Sequence, residues 1–116
     1  MYGIASGEGF AGILAGIQIK TLCRGERMLM SEFRLEKGAS LPMHSHPNEQ
    51  TGYLVRGRLV MHIGPSAREL GPGDSWSIGS EVPHRAEALE DSVAIEVFDP
   101  VRDDYLKYLR DSDTAT

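Results

Sequence analysis

Three histidines and one glutamine are the residues of this chain whose types and spacing best suit metal binding. One residue separates His44 from His46, so on an extended strand both imidazoles project from the same face, with Cα atoms roughly 6.5 to 7 Å apart. Gln50 follows after a turn that can return its amide oxygen to the same point, and His84 arrives on a later strand. Neutral imidazole is the commonest protein ligand for borderline divalent metals. The sequence therefore predicts one metal site formed by His44, His46, Gln50 and His84.

This ligand set would leave coordination positions open. Three nitrogens and one amide oxygen do not saturate a transition metal, which distinguishes a catalytic or ligand-binding site from a closed structural one. Zinc, nickel, manganese, cobalt and iron all accept such ligands, so the metal's identity stays open. The alternative is that the two neighbouring histidines belong to an exposed polar loop. His62 alternates with the core-facing Met61, and we expect it to be exposed or interfacial.

The elements that must position these residues are short strands. Thirteen glycines and six prolines punctuate the 116 residues, and the segments between them are rich in β-branched, aromatic, Met and Leu residues. This pattern predicts one all-β domain, a sandwich or barrel. The turn clusters at 64–66 and 71–74 should bracket a short edge segment. The predicted strands cover residues 13–19, 28–35, 53–56, 58–63, 75–78, 84–89 and 92–98.

The end of the chain has a different pattern. After Pro100 come two acids, Asp103 and Asp104, and then apolar residues at helical spacing. Acids are favourable in the first turn of a helix, so we expect one short C-terminal helix at about 102–110. The first eight residues and residues 111–116 are expected to be loose ends.

Composition excludes several classes of function. The net charge is −5, and the twelve Lys and Arg are scattered, so neither nucleic acid nor an anionic membrane is an expected partner. The apolar run from Phe10 to Ile19 is shorter than the ~20 residues that span a bilayer, and no basic region precedes it as in a signal peptide. Cys23 stands alone, which rules out an intrachain disulfide and favours a cytoplasmic location. We expect Cys23 to be a small buried hydrophobe.

Two segments resemble the motifs of the cupin superfamily. Residues 38–57 contain a glycine, five residues, the histidine pair, Gln50 and a closing glycine, as in the first cupin motif. Residues 73–84, ending in Pro83-His84, resemble the second motif. The resemblance implies a single cupin domain over residues 1–116, a jelly-roll barrel (double-stranded β-helix) with its core at about 12–99. Gln50 stands where the first motif usually has Glu. A neutral amide leaves more net positive charge on the metal, which should strengthen its pull on an anionic oxygen.

Among cupins, the chain is similar to the small pectin-degradation proteins of the KdgF type. The resemblance rests on HSHPNEQTGY at 44–53, on Gly73-Asp74 and on FDPVRDDYL at 98–106. It implies linearisation of the cyclic 4,5-unsaturated uronates that pectate or alginate lyases release. It also implies that Glu96, Phe98 and Arg102 lie at the mouth of the pocket, where Arg102 would pair with the sugar carboxylate and Glu96 would move a proton. Glu96 is one methylene longer than the usual Asp.

Other interpretations of these residues remain open. Arg102 is close in sequence to several acids and could form only a surface ion pair, and Glu96 could face outward. Trp76 and Tyr53 could stack on a sugar ring or simply fill the barrel. The same metal site could serve a cupin dioxygenase, or the chain could be a non-catalytic small-molecule-binding module. Because exposed edge strands are often protected by a second copy, we also expect a homodimer.

Overall fold

The protein folds into two antiparallel sheets of short strands. The structure is a computed structural model, and it describes residues 1–109. The larger sheet has six strands in the order β1-β2-β3-β10-β5-β8, and the smaller has four in the order β4-β9-β6-β7. The strands are β1 Ala11–Leu14, β2 Ile17–Arg24, β3 Leu29–Leu35, β4 Ser40–His44, β5 Glu49–Arg56, β6 Leu59–Ile63, β7 Ser66–Leu70, β8 Ser75–Ile78, β9 His84–Ala88 and β10 Ser92–Asp99. The predicted all-β sandwich or barrel is confirmed.

The hydrophobic core lies between the two sheets. Side chains of alternating residues face inward, because successive residues of a strand point to opposite faces. Leu59 and Met61 are buried as predicted, and Ile63 packs against them while half-buried. The core continues through Ile17, Ile19, Leu29, Phe33, Leu35, Leu54, Ile78, Ala86, Ala94 and Phe98. The two sheets thus form the walls that hold the candidate site at one end.

Several predicted element boundaries are wrong. The predicted strand 13–19 is a hairpin of β1 and β2, because Gly16 adopts a positive φ of 75° and turns the chain. Strand β5 begins at Glu49 rather than at Tyr53. Strand β4 was not predicted, since it contains Pro42, which argues against a central strand but is tolerated in an edge strand such as β4. Strand β7 is the short edge segment expected between the two turn clusters.

The prediction that Cys23 is a small buried side chain is wrong. It is half-exposed, because a β-bulge between Thr21 and Cys23 shifts the register of β2 against β3. Beyond the bulge, Cys23 pairs with Met30, which is itself exposed on the outer side of the sheet. The prediction therefore failed at a local irregularity that composition does not reveal.

The C-terminal helix is present, but it is shorter than predicted and of the 3₁₀ type. It covers Asp103–Tyr108, while position 110 of the predicted helix and the expected loose end at 111–116 lie outside the described residues. The hydroxyl of Thr21 donates to the carbonyl of Tyr105 at 2.8 Å and so attaches the helix to β2. Within residues 1–109, no helix has the length and apolar character needed to cross a membrane.

Candidate metal centre

Three histidines converge between the two sheets. The candidate ligand atoms of His44, His46 and His84 all lie within 4.8 Å of one another. His44 and His84 are directly opposite in the β4–β9 register, and their ring centroids are 4.1 Å apart. His46 lies in the segment between β4 and β5, since the strand ends at His44 and does not carry both histidines as expected. Its ring centroid nevertheless lies 5.7 Å from that of His44.

The backbone fixes which ring nitrogen of each histidine is available. In every case Nδ1 is hydrogen-bonded to a backbone carbonyl two residues away in sequence. The acceptors are the carbonyls of Pro42, Asn48 and Val82, at 2.8, 2.9 and 2.8 Å from His44, His46 and His84, respectively. A carbonyl can only accept, so Nδ1 must carry the proton. Each neutral imidazole therefore keeps its Nε2 lone pair free, which is the tautomer that a metal ion requires.

Three buried polar atoms at this point have no hydrogen-bond partner within the described chain. They are Nε2 of His46, Nε2 of His84 and Oε1 of Gln50. An unpaired buried acceptor costs about 1–3 kcal/mol, so a folded protein rarely leaves three of them at one point. All three are lone-pair donors that suit a divalent transition metal. The residues present therefore fit a metal ion held by the four predicted ligands.

The surroundings favour the neutral imidazoles of His46 and His84. Burial lowers the pKa of His84 to about 4. Burial also lowers the pKa of His46, and the positive charge of Arg102 lowers it further. The Gln50 side chain partly opposes these effects and raises the pKa of His46, so its amide lies beside that ring. A metal ion would meet no competing proton on His46 or His84 at neutral pH.

Glu96 lies next to the histidine cluster and is held by two donors. Nε2 of Gln50 donates to Oε2 of Glu96 at 2.8 Å, and Nε1 of Trp76 donates to Oε1 at 3.0 Å. Glu96 is buried, not outward-facing, and burial raises its carboxyl pKa to about 8 against the opposing effect of these hydrogen bonds. Gly52 stands between Trp76 and Glu96 in the strand register, and a Cβ there would lie 2.2 Å from the indole. Only a glycine lets Trp76 reach across β5 to Glu96.

Arg102 lies between an aromatic surface and an acid. Its guanidinium carbon is 3.9 Å from the ring centroid of Tyr105 and 5.2 Å from that of Phe98. Its Nε donates to Asp104 at 3.1 Å, and a second nitrogen donates to the other oxygen of the same carboxylate. Arg102 does form an ion pair with a neighbouring acid, but its own side chain is only 13% exposed. The positive charge of Arg102 therefore acts on His46 as well as on Asp104.

Two contributors were missed by the sequence analysis. Asn48 donates from Nδ2 to the carbonyl of Pro100 at 2.7 Å, which ties the segment carrying His46 to the segment carrying Arg102. Tyr105 supports the Arg102 guanidinium, and burial raises its pKa to about 12. An asparagine inside the histidine motif and an aromatic residue three positions after Arg102 were the available signals.

The cluster opens into a narrow cavity of about 40 Å³. One water molecule needs about 10–15 Å³ of such a cavity, so the cavity holds only a few small groups. A ligand as large as a sugar would have to sit at the mouth. The residues lining the cavity at the polar end are His44, Gln50, His84, Glu96, Phe98, Arg102 and Tyr105.

The structure separates the predicted site residues into two groups. The four predicted ligands, Glu96, Phe98 and Arg102 lie together, with His46 beside Phe98, while Trp76 is buried and contacts Glu96 without lining the cavity. Tyr53 does not join them. It is half-exposed and lies on the outer face of β5, because Gln50, Gly52 and Leu54 occupy the inward positions of that strand.

Comparison with known proteins agrees with this architecture. The model of the cupin domain family matches residues 31–99. KdgF from Halomonas sp. is similar, with a TM-score of 0.85 and 30% identity, over 90% of this chain and 96% of that one. A further similar structure is the RmlC-like cupin from Shewanella frigidimarina, with a TM-score of 0.82 and 25% identity, over 87% of this chain and 93% of that one.

A more distant structure shares the fold alone. Salicylate 1,2-dioxygenase from Pseudoaminobacter salicylatoxidans has a TM-score of 0.72 and 16% identity, over 77% of this chain and 28% of that one. No curated protein sequence matches the chain. The family model covers more than half of the 116 residues and includes all four candidate ligands, and the two sheets place those ligands at one point. The chain belongs to the cupin superfamily.

Proposed function

We propose that this cupin is a metal-dependent enzyme that opens the ring of a small 4,5-unsaturated uronate. The observation that carries the proposal is the combination, beside one cavity, of three imidazoles whose Nδ1 atoms are held by backbone carbonyls, a buried acid and an arginine. Similarity to KdgF over nearly the whole chain supports the same reaction class.

The reaction needs few participants. Ring opening takes a proton from the anomeric hydroxyl, breaks the bond between the anomeric carbon and the ring oxygen, and returns a proton as the enol becomes a ketone. Atoms and electrons are conserved, so no co-substrate is consumed. A divalent ion held by His44, His46, Gln50 and His84 would polarise and orient the uronate oxygens.

The chain's own residues supply binding and proton transfer. Arg102 pairs with the sugar carboxylate, and its planar guanidinium suits a bidentate carboxylate, as its contact with Asp104 already illustrates. The ring of Phe98 lies beside His46 and forms part of the wall on which Arg102 rests. Glu96 is the acid that moves the proton, since its raised pKa near 8 suits a group that exchanges protons near neutral pH.

The test is a ring-opening assay on protein purified without a histidine tag. Elemental analysis identifies the metal, and unsaturated galacturonate is then followed by loss of its enol-ether absorbance. We expect the metal-loaded protein to accelerate ring opening above the spontaneous rate, and removal of the metal by a chelator to abolish the acceleration. A metal-loaded protein that gives no acceleration would contradict the proposal. Tightly bound iron together with oxygen consumption would favour the dioxygenase instead.

We also propose that the protein is a homodimer in the cytoplasm. The outer face of the larger sheet carries the exposed apolar residues Met30, Tyr53 and Val55, a surface that a second copy of the chain would cover. We expect light scattering to give twice the 12.7 kDa of one chain, and Tyr53→Glu to lower that mass. A wild-type mass of one chain would contradict the dimer. The lone cysteine still favours the cytoplasm.

A further inference from the structure

The amide of Gln50 faces two chemically different neighbours. On one side, its Nε2 donates to Glu96. On the other, its Oε1 is buried beside the histidine cluster and has no hydrogen-bond partner in the described chain. An amide rotated by half a turn would direct its NH₂ group at the metal position instead, and an NH₂ group has no lone pair suited to a metal ion. Something must fix which end of the amide faces the histidines.

We propose that Glu96 is a positioning residue that orients the Gln50 amide so that its oxygen, and not its nitrogen, faces the metal ligands. This inference rests on the metal site of the proposed function, but it holds for any reaction performed there. It assigns Glu96 a role that is separate from proton transfer.

Trp76 makes the arrangement directional. An indole N–H can only donate, so the Oε1 of Glu96 that it contacts must accept. The same N–H also lies 3.3 Å from Oε2, but its shorter contact is with Oε1, and in the ionised carboxylate Oε2 accepts from the NH₂ group of Gln50 at 2.8 Å. Gly52 contributes by leaving the space through which the indole reaches Glu96. The order of hydrogen bonds therefore runs from Trp76 through Glu96 to Gln50 and determines the orientation of the last group.

Replacing the acid by its amide would reverse this order. In Glu96→Gln, the new side chain has one oxygen, which must face the Trp76 N–H, and one NH₂ group, which then faces Gln50. Two NH₂ groups cannot satisfy each other, so the Gln50 amide turns over and directs its own NH₂ at the histidines. If residue 50 were a glutamate, the same new NH₂ group would meet a carboxylate oxygen, and the second oxygen of that carboxylate would still face the metal.

The experiment measures Zn²⁺ affinity by competition with a chromophoric chelator in four proteins. These are the wild type, Glu96→Gln, Gln50→Glu and the double variant with both changes. We expect Glu96→Gln to weaken binding about 10- to 100-fold when residue 50 is Gln, as is common when the partner of a metal ligand is lost. We expect no loss from the same substitution when residue 50 is Glu.

Glu49→Gln is the matched control. It makes the same change of charge on β5, the strand that carries Gln50, but Glu49 is exposed and faces away from the site, so the Zn²⁺ affinity should be unchanged. Far-UV circular dichroism and the thermal midpoint verify that each variant is folded. If Glu96→Gln binds Zn²⁺ as tightly as the wild type, or loses the same factor in both backgrounds, the inference is wrong. Neither result depends on the uronate assay, so the proposed reaction can fail while this role of Glu96 stands.

Discussion

Strands β5 and β10 are paired along their whole length, yet the two ends of this pair have opposite chemistry. At one end, Leu54 faces Ala94 across the register, and these side chains are 0% and 3% exposed. Towards the other end, Glu96 lies two positions from Ala94 on β10 and Gln50 lies four positions from Leu54 on β5, and both inward side chains are 6% exposed. The two ends are about equally buried, so burial does not distinguish them. Only the chemistry of the buried side chains does.

This difference separates the part of the strand pair that stabilises the fold from the part that forms the candidate metal site. Burying apolar surface contributes about 25 cal/mol per Å², whereas burying an unpaired polar group costs free energy. At the polar end, the donors of Gln50 and Trp76 are satisfied by Glu96, and the unsatisfied atoms are those that face the metal position. The apolar end should therefore determine the free energy of unfolding, and the polar end the affinity for metal.

The largest effect should come from removing two ligands. We expect His44→Ala combined with His84→Ala to abolish stoichiometric metal binding while the barrel stays folded, because the apolar end of the strand pair is untouched. Elemental analysis and far-UV circular dichroism measure the two properties. His62→Ala is the control, since His62 lies outside the cluster with its Nε2 3.8 Å from Glu87, and the metal should be retained. Stoichiometric metal in the double variant would refute the ligand assignment.

Leu54→Ala tests the opposite end. We expect the free energy of unfolding to fall by about 2–5 kcal/mol, because a fully buried leucine is replaced by a cavity. Denaturant titration measures this, and the Zn²⁺ affinity of the folded protein should stay unchanged. Leu89→Ala, at a leucine that is 37% exposed, should cost much less. A loss of Zn²⁺ affinity in Leu54→Ala would show that the two ends are not independent.

Arg102→Ala should affect the substrate and not the fold. Loss of a charge-assisted carboxylate contact costs about 1.5–3 kcal/mol, so KM for the unsaturated uronate should rise about 10- to 100-fold. The matched control is Arg27→Ala, because the Arg27 side chain is 82% exposed and its ion pair with Asp99 is long, with 3.9 Å between nitrogen and oxygen. Equal KM values for the two variants would remove Arg102 from the binding site.

Gly52→Ala should give the smallest of these effects. The new methyl group would lie 2.2 Å from the Trp76 indole, so the ring must move away from Glu96 at a cost of about 1–3 kcal/mol. Trp76 is the one tryptophan in the sequence, and its fluorescence should shift to longer wavelength. Gly12→Ala is the control, with no atom within 4 Å of the added carbon. Unchanged emission from Gly52→Ala would contradict the close packing of Trp76.

The sequence was most informative where one residue type has one dominant use. The histidine pair, Gln50 and His84 were recognisable because their types and spacing suit a metal, and the glycines and prolines beside β8, β9 and β10 made these strands predictable to within one residue. In strand β4, a proline lies inside the strand itself. Cys23 and the split of residues 13–19 depended on a bulge and a glycine turn, which are local backbone features.

The arrangement around Glu96 could not be predicted in the same way. Its contacts with Gln50 and Trp76 depend on the registers of β5 against β10 and of β5 against β8, which join residues 46 and 20 positions away in sequence. Tyr53 illustrates the same difficulty, since a shift of one residue in the start of β5 decides whether a side chain faces the cavity or the outside.

The hydrogen bonds that orient the histidines also bear on how mutations would act on this site. Each imidazole is held by a main-chain carbonyl within its own three-residue segment, and a substitution that leaves the backbone in place does not remove a carbonyl. Gln50 instead depends on a side chain from another strand. Three ligands are therefore genetically robust and one is fragile. Under random mutagenesis, variants that lose metal without losing a ligand should concentrate at Glu96, Trp76 and Gly52.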